Sequence, residues 1–124
     1  MSLHTPETIY SIYALNQLGA IVNLIYLTLN AEEILKQTDE VGSKMFLYLE
    51  NVQDKVKEIK SKMKAEQIIY LPIWNSMPFP LKQIVKQKSC RDNSLDEFLK
   101  KGSKEIVLKK ERYQPNMPAV IVYT

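Results

Sequence analysis

The sequence predicts an α/β fold in which a mainly parallel sheet is flanked by helices on both faces, in the doubly wound manner. Three observations carry this expectation. Short apolar runs suited to strands alternate with stretches of helical period that are bounded by caps and glycines. The helical stretches are long enough to serve as right-handed crossovers between parallel strands. The run Ala119 to Tyr123, Ala-Val-Ile-Val-Tyr, is apolar without a break, as expected of a strand buried on both faces.

Taken in order, Thr5 is placed to cap a helix that has Pro6 at its first position, Glu7 in the first turn where the helix dipole favours an acid, and Gly19 as its stop. Ile9, Ile12, Tyr13, Leu15 and Leu18 cover more than one side of it, which predicts packing against both the sheet and a neighbouring helix. A strand over about residues 20 to 26 follows. Asn30 then caps a second helix, which turns Ile34, Leu35 and Val41 inward and ends at Gly42. The pattern repeats with a strand over 44 to 49, a helix from Asn51 that aligns Val52, Val56, Ile59 and Met63, and a strand over 67 to 73.

After Trp74 the pattern loosens, and residues 71 to 117 are expected to be loop-rich with two short helices. Pro78 and Pro80 mark a loop, Leu81 to Ser89 and Ser94 to Gly102 read as the helices, the second capped by Ser94, and Lys104 to Lys109 reads as a short strand. The chain returns to the sheet over 118 to 123. All 124 residues are expected to form one α/β unit. A strand is also expected ahead of Thr5, because doubly wound sheets usually open on a central strand, and a ligand loop is expected after Thr124.

Composition narrows the function classes. Seventeen Lys and Arg against 14 Asp and Glu give a formal charge of +3, and no apolar run reaches membrane-spanning length. The opening residues lack the pattern of a secretion signal, so a cytoplasmic setting is the expectation. Lysines gather in Lys55 to Lys64, Leu81 to Lys88 and Lys100 to Arg112, each interleaved with aliphatic residues, as on the solvated face of an amphipathic element. No arginine-rich or glycine-aromatic pattern accompanies them, so nucleic acid is not an expected partner.

Isolated candidates for chemistry carry little. Cys90 is the single cysteine and has no convincing His partner nearby, which makes it an ordinary thiol rather than a nucleophile. His4, the single histidine, stands beside a helix start without metal-ligand spacing to anything. Gly19, Gly42 and Gly102 are the only glycines, and no phosphate-binding Gly-x-Gly-x-x-Gly or Gly-Lys-Ser/Thr string can be built from them.

The order of motifs resembles the early part of the adenylate-forming, or AMP-binding, superfamily of acyl-CoA synthetases, luciferases and peptide-synthetase adenylation domains. Pro6 and Glu7 open a helix that ends in Gly19-Ala20; a strand follows; Glu32 and Glu33 begin the next helix; and Gly42 and Lys44 lead into another strand. Ser94 to Gly102 resembles the family's short helix ahead of its nucleotide segment, and Pro118 to Thr124 resembles the strand that runs into the phosphate loop. Residues 71 to 91 match least well, and His4 or Thr5 stands where the family usually has an Asn.

The resemblance implies that the chain is an N-terminal part of the AMP-binding domain, ending at the start of the phosphate loop, in a parent enzyme that joins a carboxylic or fatty acid to CoA through an acyl-adenylate. It implies ATP, Mg2+ and CoA for that parent. Thr124 would be the first hydroxyl of the phosphate loop and Tyr123 the strand residue that aims it. No catalytic residue and no metal ligand is expected within the 124 residues, which by themselves should be inactive. Open sheet edges would favour a homo-oligomer. The alternative is a complete flavodoxin-like binding or protein-interaction module without enzymatic activity.

Overall fold

The computed structural model describes residues 5–88, 93–102, 112 and 114–124. His4, Cys90 and the strand expected over 104 to 109 lie outside the described residues. The elements run α1 (Pro6–Gln17), β1 (Val22–Leu24), α2 (Ala31–Glu40), β2 (Met45–Leu49), α3 (Gln53–Ile59), β3 (Gln67–Leu71), α4 (Leu81–Lys88), α5 (Leu95–Gly102) and β4 (Val120–Val122). Short 3-10 turns over Glu50–Val52 and Ile73–Ser76 follow β2 and β3.

The helix ends follow from the sequence chemistry. Thr5 Oγ1 accepts from the Thr8 amide at 3.3 Å. At Asn30 a full capping box forms, with the Glu33 amide donating to Asn30 Oδ1 and the Asn30 amide to Glu33 Oε2, both at 2.9 Å. Gly19 and Gly42 adopt φ of 74° and 63°, the left-handed region. Each reverses the chain so that two amides beyond the helix reach back to its last turns: Gly19 to Asn16 and Ala20 to Leu15, then Gly42 to Asp39 and Ser43 to Thr38. Helix therefore turns into strand within a few residues at both places.

The strands are parallel, as expected, and are organised in two pairs rather than in one ladder. β1 pairs with β4 in the register Val22↔Val120, Asn23↔Ile121, Leu24↔Val122. β2 pairs with β3 from Met45↔Gln67 to Leu49↔Leu71. Beyond β3, Asn93 and Ser94 cover its outer edge: the Tyr70 amide donates to the Asn93 carbonyl at 3.1 Å, and Ser94 forms a parallel bridge to Tyr70. A cleft of about 390 Å³ lies between β1 and β2, lined by Ile12, Leu15, Asn23, Val41, Met45 and Leu47 among others.

The core sits between α2, α3 and the β2–β3 pair. Ile34 is fully buried, and Phe46, Val52, Val56 and Ile59 join it, with Met63 and Ile68 packed alongside. The stripe expected on the third helix is thus the buried one. Tyr48, Tyr70 and Trp74 extend this side as a row of tilted rings, with centroids 5.8 and 5.7 Å apart.

Two packing expectations are corrected. α1 buries no apolar residue: Ile12 and Leu15 are half-buried against the cleft, while Ile9, Tyr10, Tyr13 and Leu18 are exposed, because among the described residues the main contacts of α1 are with β1 and the turn after β3. β4 is not buried on both faces either. Val120 and Val122 are exposed among the described residues, where β4 lies in a two-stranded pair with β1. An unbroken apolar run records what a strand can bury, not what covers it.

Candidate functional site

In open α/β sheets ligands bind at the carboxyl ends of parallel strands, where loops rather than ladders present backbone and side-chain groups. The parallel β1–β4 pair brings two such ends together. Tyr123 and Thr124 leave β4, and Ile25 to Asn30 leave β1. The paired register ends at Leu24↔Val122, so Ile25 leaves β1 and Tyr123 leaves β4 at the same end of the pair. Thr124 is exposed at this edge and Tyr123 is half-buried.

Tyr123 is fixed by a partner far away in sequence. Its hydroxyl donates to Glu40 Oε2 at 3.2 Å, tying the end of β4 to the end of α2. Burial first, then this hydrogen bond and the negative charge of Glu40, raise the phenol above its ordinary value of 10.0. The neutral hydroxyl is accordingly the form that holds the contact.

The β1 loop is fixed from α3. Lys55 Nζ donates to the carbonyls of Leu27 and Leu29, each at 2.9 Å. The loop's side chains anchor it from beneath, with Ile25 buried in the core and Leu27 and Leu29 packed against it. Tyr26 is left outward. Leu29 N also reaches Tyr26 O, at a long 3.4 Å.

Around β3 the carboxyl edge is held by polar contacts. The Tyr70 hydroxyl donates to Glu50 Oε2 at 3.3 Å. Glu7, in the first turn of α1, is buried and accepts a hydrogen bond from the Ser76 hydroxyl, while its second oxygen is buried without a protein partner. Sequence reasoning placed Glu7 by the helix dipole and by the Pro-Glu pair of the motif order, and missed this role. It also read Lys55 as part of a solvated lysine face. The neighbouring Lys57, Lys60, Lys62 and Lys64 are exposed as expected, and Lys55 is the exception.

Tyr123 and Thr124 thus follow β4 at the carboxyl edge of the β1–β4 pair, and Glu40 and Lys55, which hold Tyr123 and the β1 loop, come from helices. Among the described residues no group of three His, Cys, Asp or Glu side chains gathers that could hold a metal ion. Across residues 1–124 the sequence matches the family model for AMP-binding enzymes. The chain belongs to that family. No curated protein and no solved structure matches it. Membership of the AMP-binding, adenylate-forming family accounts for the α/β class with short parallel sheets flanked by helices, and it carries ATP as the nucleotide of the parent enzyme. The alternative of a non-catalytic flavodoxin-like module gains no support from it. No described helix is long and apolar enough to cross a membrane.

Proposed function

We propose that this chain builds the part of an acyl-CoA synthetase that leads into its ATP phosphate site, in a parent enzyme that activates a carboxylic or fatty acid and transfers it to CoA. The observation that carries the reading is β4: parallel to β1, it delivers an exposed threonine hydroxyl at the carboxyl edge of the pair, where a phosphate-binding turn belongs. In the reaction a carboxylate oxygen attacks the α-phosphorus of ATP, pyrophosphate leaves, and the CoA thiolate then displaces AMP from the acyl carbon. Thr124 donates a hydrogen bond from its hydroxyl to a β- or γ-phosphate oxygen and so helps stabilise the leaving pyrophosphate. Tyr123 acts indirectly, by fixing the strand end through Glu40. Mg2+ would be held outside these residues, and its chemistry would be to draw negative charge from the phosphates.

The cleft between β1 and β2 receives one further parallel strand of the same protein, with α1 as its crossover. α2 carries the chain from β1 to β2 although the two strands do not pair, and the cleft between them has a largely apolar lining, as a strand position would. The buried amide of Asn23 on β1 has neither its nitrogen nor its oxygen satisfied within the protein. A cytoplasmic location and a homo-oligomer through the β4 edge belong to the same reading.

The test is product analysis. The complete enzyme carrying this segment, given ATP, CoA and a panel of carboxylic acids, is expected to release AMP and pyrophosphate and to form an acyl-CoA. Adenylation restricted to amino acids, or release of ADP, would replace this reading.

A further inference from the structure

We propose that Lys55 is the positioning residue of the loop beside Thr124, holding Ile25 to Asn30 in place through its ammonium group rather than through its aliphatic stem. The inference rests on the assignment of Thr124 to the phosphate site for its functional meaning, and on geometry for its physical content. A six-residue loop at the end of a three-residue strand has few ladder bonds to organise it. Its carbonyls must find donors or face water. Two of them, from Leu27 and Leu29, converge on one Nζ at 2.9 Å each, in partly buried surroundings. An ammonium offers three donors on a tetrahedral head and can satisfy two carbonyls two residues apart, which a neutral donor of similar length cannot do with comparable strength.

The consequences run in both directions along the loop. Downstream, Asn30 must present its side chain and its amide to Glu33 at once, and that capping box starts α2 in the right place only if Leu29 is fixed. Upstream, the loop leaves β1 directly after Leu24, the partner of Val122, so its course shapes the edge from which Tyr123 and Thr124 depart, and Tyr26 is 56% exposed on it. Lys55 acts on the loop through the two carbonyls of Leu27 and Leu29. Glu40, which holds Tyr123, and Lys55 therefore brace the two strand ends of one edge from successive helices.

Amide hydrogen exchange on the 124-residue chain tests this. Lys55→Met keeps the stem and removes the charge and donors. The expected result is exchange about tenfold faster at the amides of residues 26 to 31, the order expected on losing charge-assisted hydrogen bonds, with β2 and β3 amides unchanged. Lys55→Arg keeps a cation and is expected to restore much of the protection. In Lys55→Ala, added n-propylammonium is expected to slow the loop amides, which a packing role of the stem alone would not allow. Unchanged loop exchange in Lys55→Met, or acceleration spread equally over β2 and β3, overturns the proposal. So does equal loss of fold in Lys55→Met and Lys55→Arg, since the second keeps charge and donors. Nucleotide chemistry does not enter this measurement, so a failure of the adenylation reading leaves it standing and its own failure leaves that reading untouched.

Discussion

The hydroxyl of Tyr123 and the carboxylate of Glu40, 83 positions apart in the chain, meet at 3.2 Å and join the last strand to the second helix. Partial burial, the hydrogen bond and the negative charge of Glu40 all disfavour the phenolate, so the folded-state value lies above 10.0. A group raised in this way contributes stability that is complete below its unfolded value and is lost as pH rises through the folded one. The tie should therefore hold up to about pH 10 and release above it. In a near-ultraviolet titration, the tyrosine missing from Tyr123→Phe should ionise later than the mean of the others. Glu40→Gln should bring it down. A Tyr123 that ionises with or before the rest would remove the contact.

Gly42 ends α2 at φ 63°, and a Cβ placed there would meet nothing within 4 Å. Space is thus available but backbone conformation is not. Gly42→Ala should cost about 1 kcal/mol, from the left-handed backbone alone. Denaturant unfolding checks the value, and a neutral substitution would mean that the chain reversal into β2 can relax.

Ser76 donates to a carboxylate on Glu7 that is only 8% exposed. Removing the donor leaves a buried acceptor with no replacement, and Ser76→Ala should destabilise by about 1–3 kcal/mol. Glu7→Gln, which can still accept from Ser76, should cost less. The same unfolding measurement ranks the two, and the reverse order would contradict the assigned hydrogen bond.

β4 has β1 on one side, and among the described residues nothing pairs with its other edge. Val120 and Val122 are 38% and 48% exposed there. An apolar, unpaired edge recruits other strands, and a lysine on it is the usual deterrent. The isolated chain is expected to self-associate in light scattering, and Val122→Lys to shift it toward monomer. A strict monomer at high concentration would show that the edge is already blunted.

Much of the fold was legible because caps and periods are local. Thr5, Asn30, Ser94 and the two reversing glycines each do what their neighbours in sequence dictate, and Val52, Val56 and Ile59 bury as their spacing requires. Coverage was not legible. The alternation in α1 fits a helix packed on two sides, but whether a second partner is present is a property of the assembly and not of the twelve residues. Lys55 illustrates the same limit at the site. It borders the apolar stripe expected from Val52 to Met63, as Lys62 does, so helical spacing gives both the same reading; only the approach of the β1 loop distinguishes the one that binds carbonyls. Tyr123 and Thr124 were read from a motif order, and the Glu40 contact that fixes the first of them spans a separation at which no pattern in a single sequence operates.

The most direct test of the central claim is ATP–pyrophosphate exchange, followed in the complete enzyme and in its Thr124→Val variant, with the 124-residue chain alone as the third sample. The expected result is acid-dependent exchange in the complete enzyme, a fall of at least about tenfold in the variant, as for loss of one donor to a developing charge, and none from the chain alone. Unaltered exchange after Thr124→Val, or exchange catalysed by the 124 residues by themselves, would contradict it.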